Sequence, residues 1–342
     1  MQRIMILFFV LFSFTLHAQY EKGNWYLSGN SVIDGGDQST VAGSEFQPAS
    51  ASRSGYFLFD RLLVGGNVLN PAAFVRYYQP LKPQSKLSAF AEFNVAVDFS
   101  GSRTDISYQP AIGLEYQFSP DILLSATLQH SIIGSRRLNA TSLMFGINTI
   151  IGRGGLAPGQ NLLRKGATFI DPNIGQVTFS SFDFTSGSVQ WLGVSLHFGG
   201  GLMLTDRISL DGSISASNYR SDFDSSNSTR LLKTTEVSAD LGLRYFLTAK
   251  GKLRPYVGAG ISSSYQFFKA EYETPGQPDY SENIFEVAPN LKLGALFFLS
   301  DKVALDASVE YNFRDTDISR AFTSQMGLGV GVKIFLGGGE KQ

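Results

Sequence analysis

Two-residue alternation, repeated along nearly the whole chain, is the feature that most narrows what this sequence can fold into. It is clearest from Val237 to Phe268, which reads VSADLGLRYFL, TAKGK, LRPYVGAGISSSYQFF. In the first arm Val237, Ala239, Leu241, Leu243, Tyr245 and Leu247 share one face, and Ser238, Asp240, Gly242, Arg244 and Phe246 share the other. The Lys/Gly-rich break reads as a hairpin turn. The second arm sets Val257, Ala259 and Ile261 against Tyr256, Gly258, Gly260 and Ser262. Such a pattern belongs to a strand lying between two different environments. No stretch of helical period follows that could cover the apolar faces. A closed barrel, apolar outside against lipid and polar or glycine-lined inside, resolves the problem. The fold class expected is all-β, an antiparallel transmembrane β-barrel.

Composition bounds the alternatives. After the N-terminus no apolar run of the 342-residue chain approaches the length of roughly 18 residues that a transmembrane helix needs. A net charge of -1 gives no basis for a nucleic-acid partner. Residues Met1 to Gln19, MQRIMILFFVLFSFTLHAQ, carry a basic start at Arg3, an apolar core and a small residue at Ala18. They read as a secretory signal peptide over 1–18, with the mature chain starting at Gln19. The chain has no cysteine, which fits passage through an oxidising compartment without disulfides and excludes lipoprotein processing.

From Trp25 onward the strands are joined by two kinds of connection. Short ones include Phe59–Arg61, Ser119–Asp121, Leu204–Arg207 and Leu299–Lys302. Longer polar ones include 33–46, 100–105, 218–236, 269–283 and 314–323. That division matches the periplasmic and external rims of an outer-membrane barrel. Aromatic doublets beside the short turns (Tyr77 and Tyr78, Tyr245 and Phe246, Phe297 and Phe298) are expected in an interfacial belt. Tyr116 and Phe118 join them, and Phe99, Tyr219, Tyr265, Phe267, Tyr311 and Phe313 mark the opposite rim.

The chain also repeats itself in order. LFDRLLVGGNV (58–68) matches MLTDRISLDGSI (203–214), and FVRYYQPLKPQSKLSAFAEFNVAVDF (74–99) matches LGLRYFLTAKGKLRPYVGAGISSSYQF (241–267). AIGLEYQFSPDILLSATLQ (111–129) matches LKLGALFFLSDKVALDASVEY (291–311), and TSLMFGINTIIGRG (141–154) matches TSQMGLGVGVKIFLGGG (323–339). This is duplication of a unit of about eight strands. Expected domains are a first repeat over 19–152, a Gly/Pro-rich periplasmic linker over 153–175, and a second repeat over 176–338. Two eight-stranded barrels are expected, with one sixteen-stranded barrel as the alternative. Inward Phe57, Phe74, Phe90 and Met144 suit a narrow lumen filled by side chains.

Each half resembles the small outer-membrane β-barrel domain of the OmpA/OmpX-like superfamily, through its RYYQP or RYFLT strand, turn, and KLSAFAEF or KLRPYVGAG strand. The resemblance implies the barrel fold and residence in a Gram-negative outer membrane. Its implied partners are membrane lipid, lipopolysaccharide and the barrel-assembly machinery. It leaves function open, because the superfamily includes anchors, adhesion-related proteins and others.

Candidate functional residues lie on the inward faces: Arg76, Glu92 and Glu115 in the first repeat, and Asp211, Asp240, Arg244, Arg254, Lys292, Asp306, Glu310 and Lys333 in the second. A three-residue turn at Ser300–Lys302 sets Lys292 opposite Glu310. Charges confined in a lumen are expected to pair, because an unpaired one is costly. His197 faces inward near Ser195, but the register sets Ser215 opposite it and Asp211 opposite Gly201. A hydrolytic triad therefore lacks its carboxylate. His130 lies beside Ser131 near the external rim. Asp222, Asp224, Asn227, Glu271, Glu273, Asp279 and Glu282 form an acidic rim without the spacing of a calcium loop. Gly152–Gly159 lacks the following Lys-Ser/Thr of a phosphate loop. No enzyme activity and no cofactor are expected. Two classes stay open: a structural or surface-interaction barrel presenting polar external loops to an unidentified ligand, and a passive porin-like pore.

Overall fold

The computed structural model describes residues 20–28, 31–34, 53–67, 71–82, 85–98, 105–119, 121–133, 138–152, 163–171, 173–184, 187–225, 228–272, 279–313 and 326–336. The expected signal peptide lies outside them. The first strands are β1 Trp25–Ser28, β2 Ser31–Asp34, β3 Arg53–Phe59, β4 Leu62–Asn67, β5 Ala72–Pro80, β6 Leu87–Asp98, β7 Asp105–Ser119, β8 Ile122–Ile133 and β9 Leu138–Ile151. They are followed by β10 Thr168–Ile170, β11 Asn173–Phe184, β12 Gly187–Met203, β13 Ile208–Ser225, β14 Ser228–Phe246, β15 Leu253–Tyr272, β16 Tyr280–Phe298, β17 Val303–Asn312 and β18 Met326–Phe335. Neighbouring strands run antiparallel, and the described residues contain no helix.

Two eight-stranded barrels close at the end that carries the short turns. β1 pairs with both β3 and β9, Tyr26 lying opposite Gly55 and Ile150, and seals the ring of β1 with β3 to β9. β10 does the same for the second copy, Phe169 lying opposite Gly201 and Phe335. Toward the loop end the two copies exchange first strands. β11 stays on β12 but takes β9 of the first copy as its other neighbour, Phe179 opposite Thr141. β2 pairs with β18 of the second copy, Ile33 opposite Leu328. The two closed barrels thus merge above into one continuous circuit of strands. In the sequence Gly29–Asn30, two residues of low strand propensity, follow β1, and Pro172, which has no N–H to donate, follows β10.

β10 corrects the expected boundaries. Residues 153–175 were expected to be a linker, yet the second copy is already under way at Leu163. Tyr20-Glu21-Lys22-Gly23 and Leu163-Arg164-Lys165-Gly166 form the same turn. Lys22 N donates to Asp60 Oδ1 at 2.9 Å and Lys165 N to Asp206 Oδ1 at 3.0 Å. Gly23 and Gly166 have φ of 94° and 84°, which L side chains rarely adopt. A three-residue strand is too short to declare itself by alternation.

The outer surface follows the alternation. Leu241 (60% exposed), Leu293 (62%) and Phe285 (66%) stand outward with Val257, Ile261 and Leu291. Outward residues are buried where the two barrels touch. Leu27, Ile122, Ile147 and Ile151 of the first copy pack with Val303, Val332 and Ile334 of the second. Because lipid tails are as apolar as these side chains, the contact gains close packing rather than a hydrophobic term. Lys302 Nζ and Asp121 Oδ2, 3.4 Å apart, join the turns of the two copies below it.

Candidate functional site: two plugged lumens

Period two divides each aromatic doublet. Tyr245 and Phe297 face outward, 43% exposed each, as a belt residue should. Their partners Phe246 and Phe298 are 1% exposed, and Tyr78 is fully buried. These inward rings belong to a plug, which corrects their expected membership of the belt. In the first barrel Tyr20, Tyr26, Phe57, Phe74, Tyr78 and Phe90 fill the turn end of the lumen. Tyr20 stacks on Tyr78 with ring centroids 3.9 Å apart. In the second, Leu163, Phe169, Met203, Phe246, Tyr256 and Phe298 do so.

An arginine anchors each plug. Arg76 Nε donates to Glu92 Oε2 at 2.7 Å, and its Nη1 donates to Glu115 Oε1 and Tyr26 Oη, both at 2.8 Å. The guanidinium lies 4.0 Å from the Phe90 ring centroid. Arg53 Nη1 adds a second cation to Glu92 at 2.7 Å, and Asn148 Nδ2 donates to Glu115 at 2.9 Å. Two cations therefore meet two carboxylates, and both carboxylate side chains are fully buried. Above them Asn94, Gln109, Gln129 and Ser131 continue as a hydrogen-bonded column.

Arg244 holds the equivalent place in the second barrel but draws its acids from other strands. Its Nη1 donates to Asp306 Oδ2 on β17 at 2.8 Å, and its Nε pairs with Asp211 on β13. Tyr256 Oη donates to Asp306 Oδ1 at 2.7 Å. Lys333 pairs with Asp171, at the point where the first strand changes barrels. Lys292 and Glu310, opposite each other as expected, form a pair at 2.7 Å. That pair stays 28% and 26% exposed, so it is a partly solvated lumen pair and not a buried one. Among the described residues Asp240 has no cation partner; it is exposed and accepts from Ser213 Oγ at 2.7 Å. Arg254 is folded over the turn, with its Nε donating to Gly251 O at 2.7 Å.

Two further expectations change. His197 does have a carboxylate nearby: the Asp171 carboxylate and His197 Nε2 both crowd the space where a Cβ on Gly199 would sit. Asp171 came from the stretch expected to be linker, so the register of β12 and β13 could not reveal it. It is engaged by Lys333, and among the described residues no hydrogen bond joins it to His197 or Ser195. His130 Nδ1 lies 2.9 Å from Thr141 Oγ1. On the loop-side rim two of the described acids meet cations, Glu271 with Lys269 at 2.6 Å and Asp222 with Arg220 at 3.2 Å, while Asp279 accepts from the Tyr272 N–H and Glu282 from the Tyr280 hydroxyl. The Lys269 hydrogen bond holds the Glu271 carboxyl below the usual carboxylate range. Glu273, Asn227 and Phe99 lie outside the described residues, as does the side chain of Asp224.

Closed antiparallel barrels with an outward apolar surface and plugged polar interiors define an integral β-barrel membrane protein. Residues 165–335, half of the chain, match the family model described as the outer membrane protein beta-barrel domain. The chain belongs to that family, and its place is the outer membrane. Similar solved structures include the N-terminal β-barrel domain of Pseudomonas aeruginosa OprF, at 18% identity over 52% of this chain and 99% of that one, TM-score 0.25. Others are a bacterial polysaccharide outer membrane secretin (14%, 93% and 98%, TM-score 0.38) and the alcaligin receptor FauA of Bordetella pertussis (13%, 92% and 49%, TM-score 0.41). No curated protein matches the chain.

Proposed function

We propose that the protein is a sealed, OmpA-like structural barrel whose second copy presents an interaction surface outside the cell, and that it has no enzyme activity. The observation that carries this reading is the pair of arginine-anchored plugs, which fill both lumens at the turn end. Strand length supports the display role. β13 to β16 have 18 to 20 residues, against 6 to 12 in β4 to β6. At ~3.3 Å per residue and a tilt of about 40°, a 20-residue strand rises about 50 Å, roughly twice the ~25 Å apolar band of such barrels. The excess stands on the loop side, where Lys233, Lys269 and Glu271 form an exposed charged rim. Its partners are membrane lipid, lipopolysaccharide and an external ligand, with the barrel-assembly machinery acting during biogenesis. The leader over 1–18 is cleaved on export.

Cysteine labelling tests the display, since the native chain has no cysteine. On intact cells an impermeant maleimide should label the Lys269→Cys variant. The Lys250→Cys variant, at a short turn, should react only after the cells are broken. The reverse pattern would overturn the proposed orientation and with it the display role.

A further inference from the structure

The long strands β13 to β16 carry their outward residues in register, and the rows change character with height. Ala216, Val237, Tyr265 and Phe285 lie opposite one another and close the apolar surface, Tyr265 and Phe285 being 42% and 66% exposed. The next row is Asn218, Thr235, Phe267 and Asn283, in which Asn218 Nδ2 donates to Thr235 Oγ1 at 2.7 Å. One row higher Arg220, Lys233 and Lys269 stand directly opposite one another, so three adjacent strands present three cations in line. Asp222, Leu231 and Glu271 follow above them. The first copy has no counterpart in the described residues: β5 begins four residues before Arg76, whereas Lys233 stands eleven before Arg244.

The rows follow the layers of a bilayer interface. On β14 itself twelve residues separate Tyr245, in the belt at the turn end, from Lys233. At ~3.3 Å per residue and a tilt of about 40° they rise about 30 Å, which sets Lys233 just past an apolar band of about 25 Å. Aromatic rings suit the headgroup level, and cations beside it meet anionic lipid. Like charges set directly opposite one another cost stability, and the acids above offset that only in part. Three cations face two carboxylates, which leaves one positive charge in excess. Lys269 Nζ and Lys233 Nζ lie 2.6 Å and 3.5 Å from the same oxygen, Glu271 Oε1, so a single anionic oxygen reaches both ammonium groups. Arg220 donates to Asp222 from Nε and Nη2 at 3.2 to 3.4 Å, bonds that leave its Nη1 over.

We propose that the row Arg220, Lys233 and Lys269 docks the phosphate groups of lipopolysaccharide, with Lys233 at its centre. Height, sign of charge and the flanking rings all suit a phosphorylated headgroup whose acyl chains lie against Val237 and Tyr265. Glu271 holds the place that a phosphate oxygen would take between the two lysines, and so competes with it. The assignment gives these cations of the proposed display surface to a lipid and not to a soluble partner. It rests on the orientation proposed above only for which leaflet supplies the lipid.

Native mass spectrometry of the full chain in an uncharged detergent, titrated with diphosphoryl lipid A, tests it on protein that keeps its heat-dependent gel mobility. The native chain should retain lipid A saturably and the phosphate-free form of the same lipid at least about tenfold less. Lys233→Met keeps the stem and should weaken retention about tenfold, through loss of charge-assisted hydrogen bonds. Glu271→Gln removes the competing carboxylate and should strengthen retention, while Lys250→Met, at the short-turn end, should leave it unchanged. Equal retention of the phosphate-free lipid, unchanged retention by Lys233→Met, or weaker retention by Glu271→Gln would each overturn the assignment. So would displacement of lipid A by equimolar inorganic phosphate, which would mark a site for a soluble anion. Micelles have no sides, so this result is blind to orientation, which the maleimide labelling decides by itself.

Discussion

Replacing Arg76 by methionine is the sharpest perturbation of the first plug. The side chain is 3% exposed, and the Glu92 and Glu115 side chains that it joins are fully buried. Methionine keeps most of the length and the packing on Phe90 but removes the charge. Glu92 retains Arg53 at 2.7 Å. Glu115 retains neutral donors, among them Tyr26 Oη at 3.1 Å and Asn148 Nδ2 at 2.9 Å. The cost is therefore that of one uncompensated buried carboxylate, about 3–5 kcal/mol. Adding Glu115→Gln removes one charge of each sign and restores neutrality, so the double variant should recover about half of that loss. Urea unfolding from lipid vesicles, followed by the fluorescence of Trp25 and Trp191, measures both quantities. A single-variant loss below about 1 kcal/mol, the range of exposed ion pairs, would refute the reasoning. Strict additivity of the two substitutions would refute it equally.

The same logic gives a smaller number for Lys292→Met, whose pair with Glu310 is about a quarter exposed; the loss in the same assay should stay within about 1 kcal/mol. A fragment of residues 163–342 should refold into a heat-modifiable barrel, whereas one of residues 175–342, which lacks β10, should not; equal behaviour of the two would count against closure through Phe169. Strand exchange predicts that Leu143→Cys with Val177→Cys, opposite each other on β9 and β11, cross-links on oxidation in the folded protein. Failure of that pair to cross-link in heat-modifiable protein would reject the exchange.

Alternation made much of this architecture legible. It fixes which residues face lipid, and with a short turn it fixes which residues oppose each other, so Lys292 and Glu310 could be paired on paper. Arg76 and Glu92 were assigned to the lumen in the same way. Arg53 was findable on the same grounds, because it shares the face of Phe57, but its polar surroundings concealed the strand. The doublets misled for a physical reason: proximity to a turn is shared by both rings, while their destinations are opposite. Strand exchange leaves no trace in the pattern, because β11 shows the same alternation whether β9 or β18 lies beside it. The sequence offers only Pro172, a residue with no N–H to donate, as a signal near the end of β10. Asp171, beside that proline, was hidden with the exchange, and so was its pairing with Lys333.

Single-channel recording of the full-length protein in planar bilayers tests the sealed-barrel account most directly. With Arg76 and Arg244 tied into their carboxylates and the aromatic rings packed beneath them, the native protein should give no steady open level. A stable, long-lived conductance from heat-modifiable native protein would contradict the account and favour the porin-like pore.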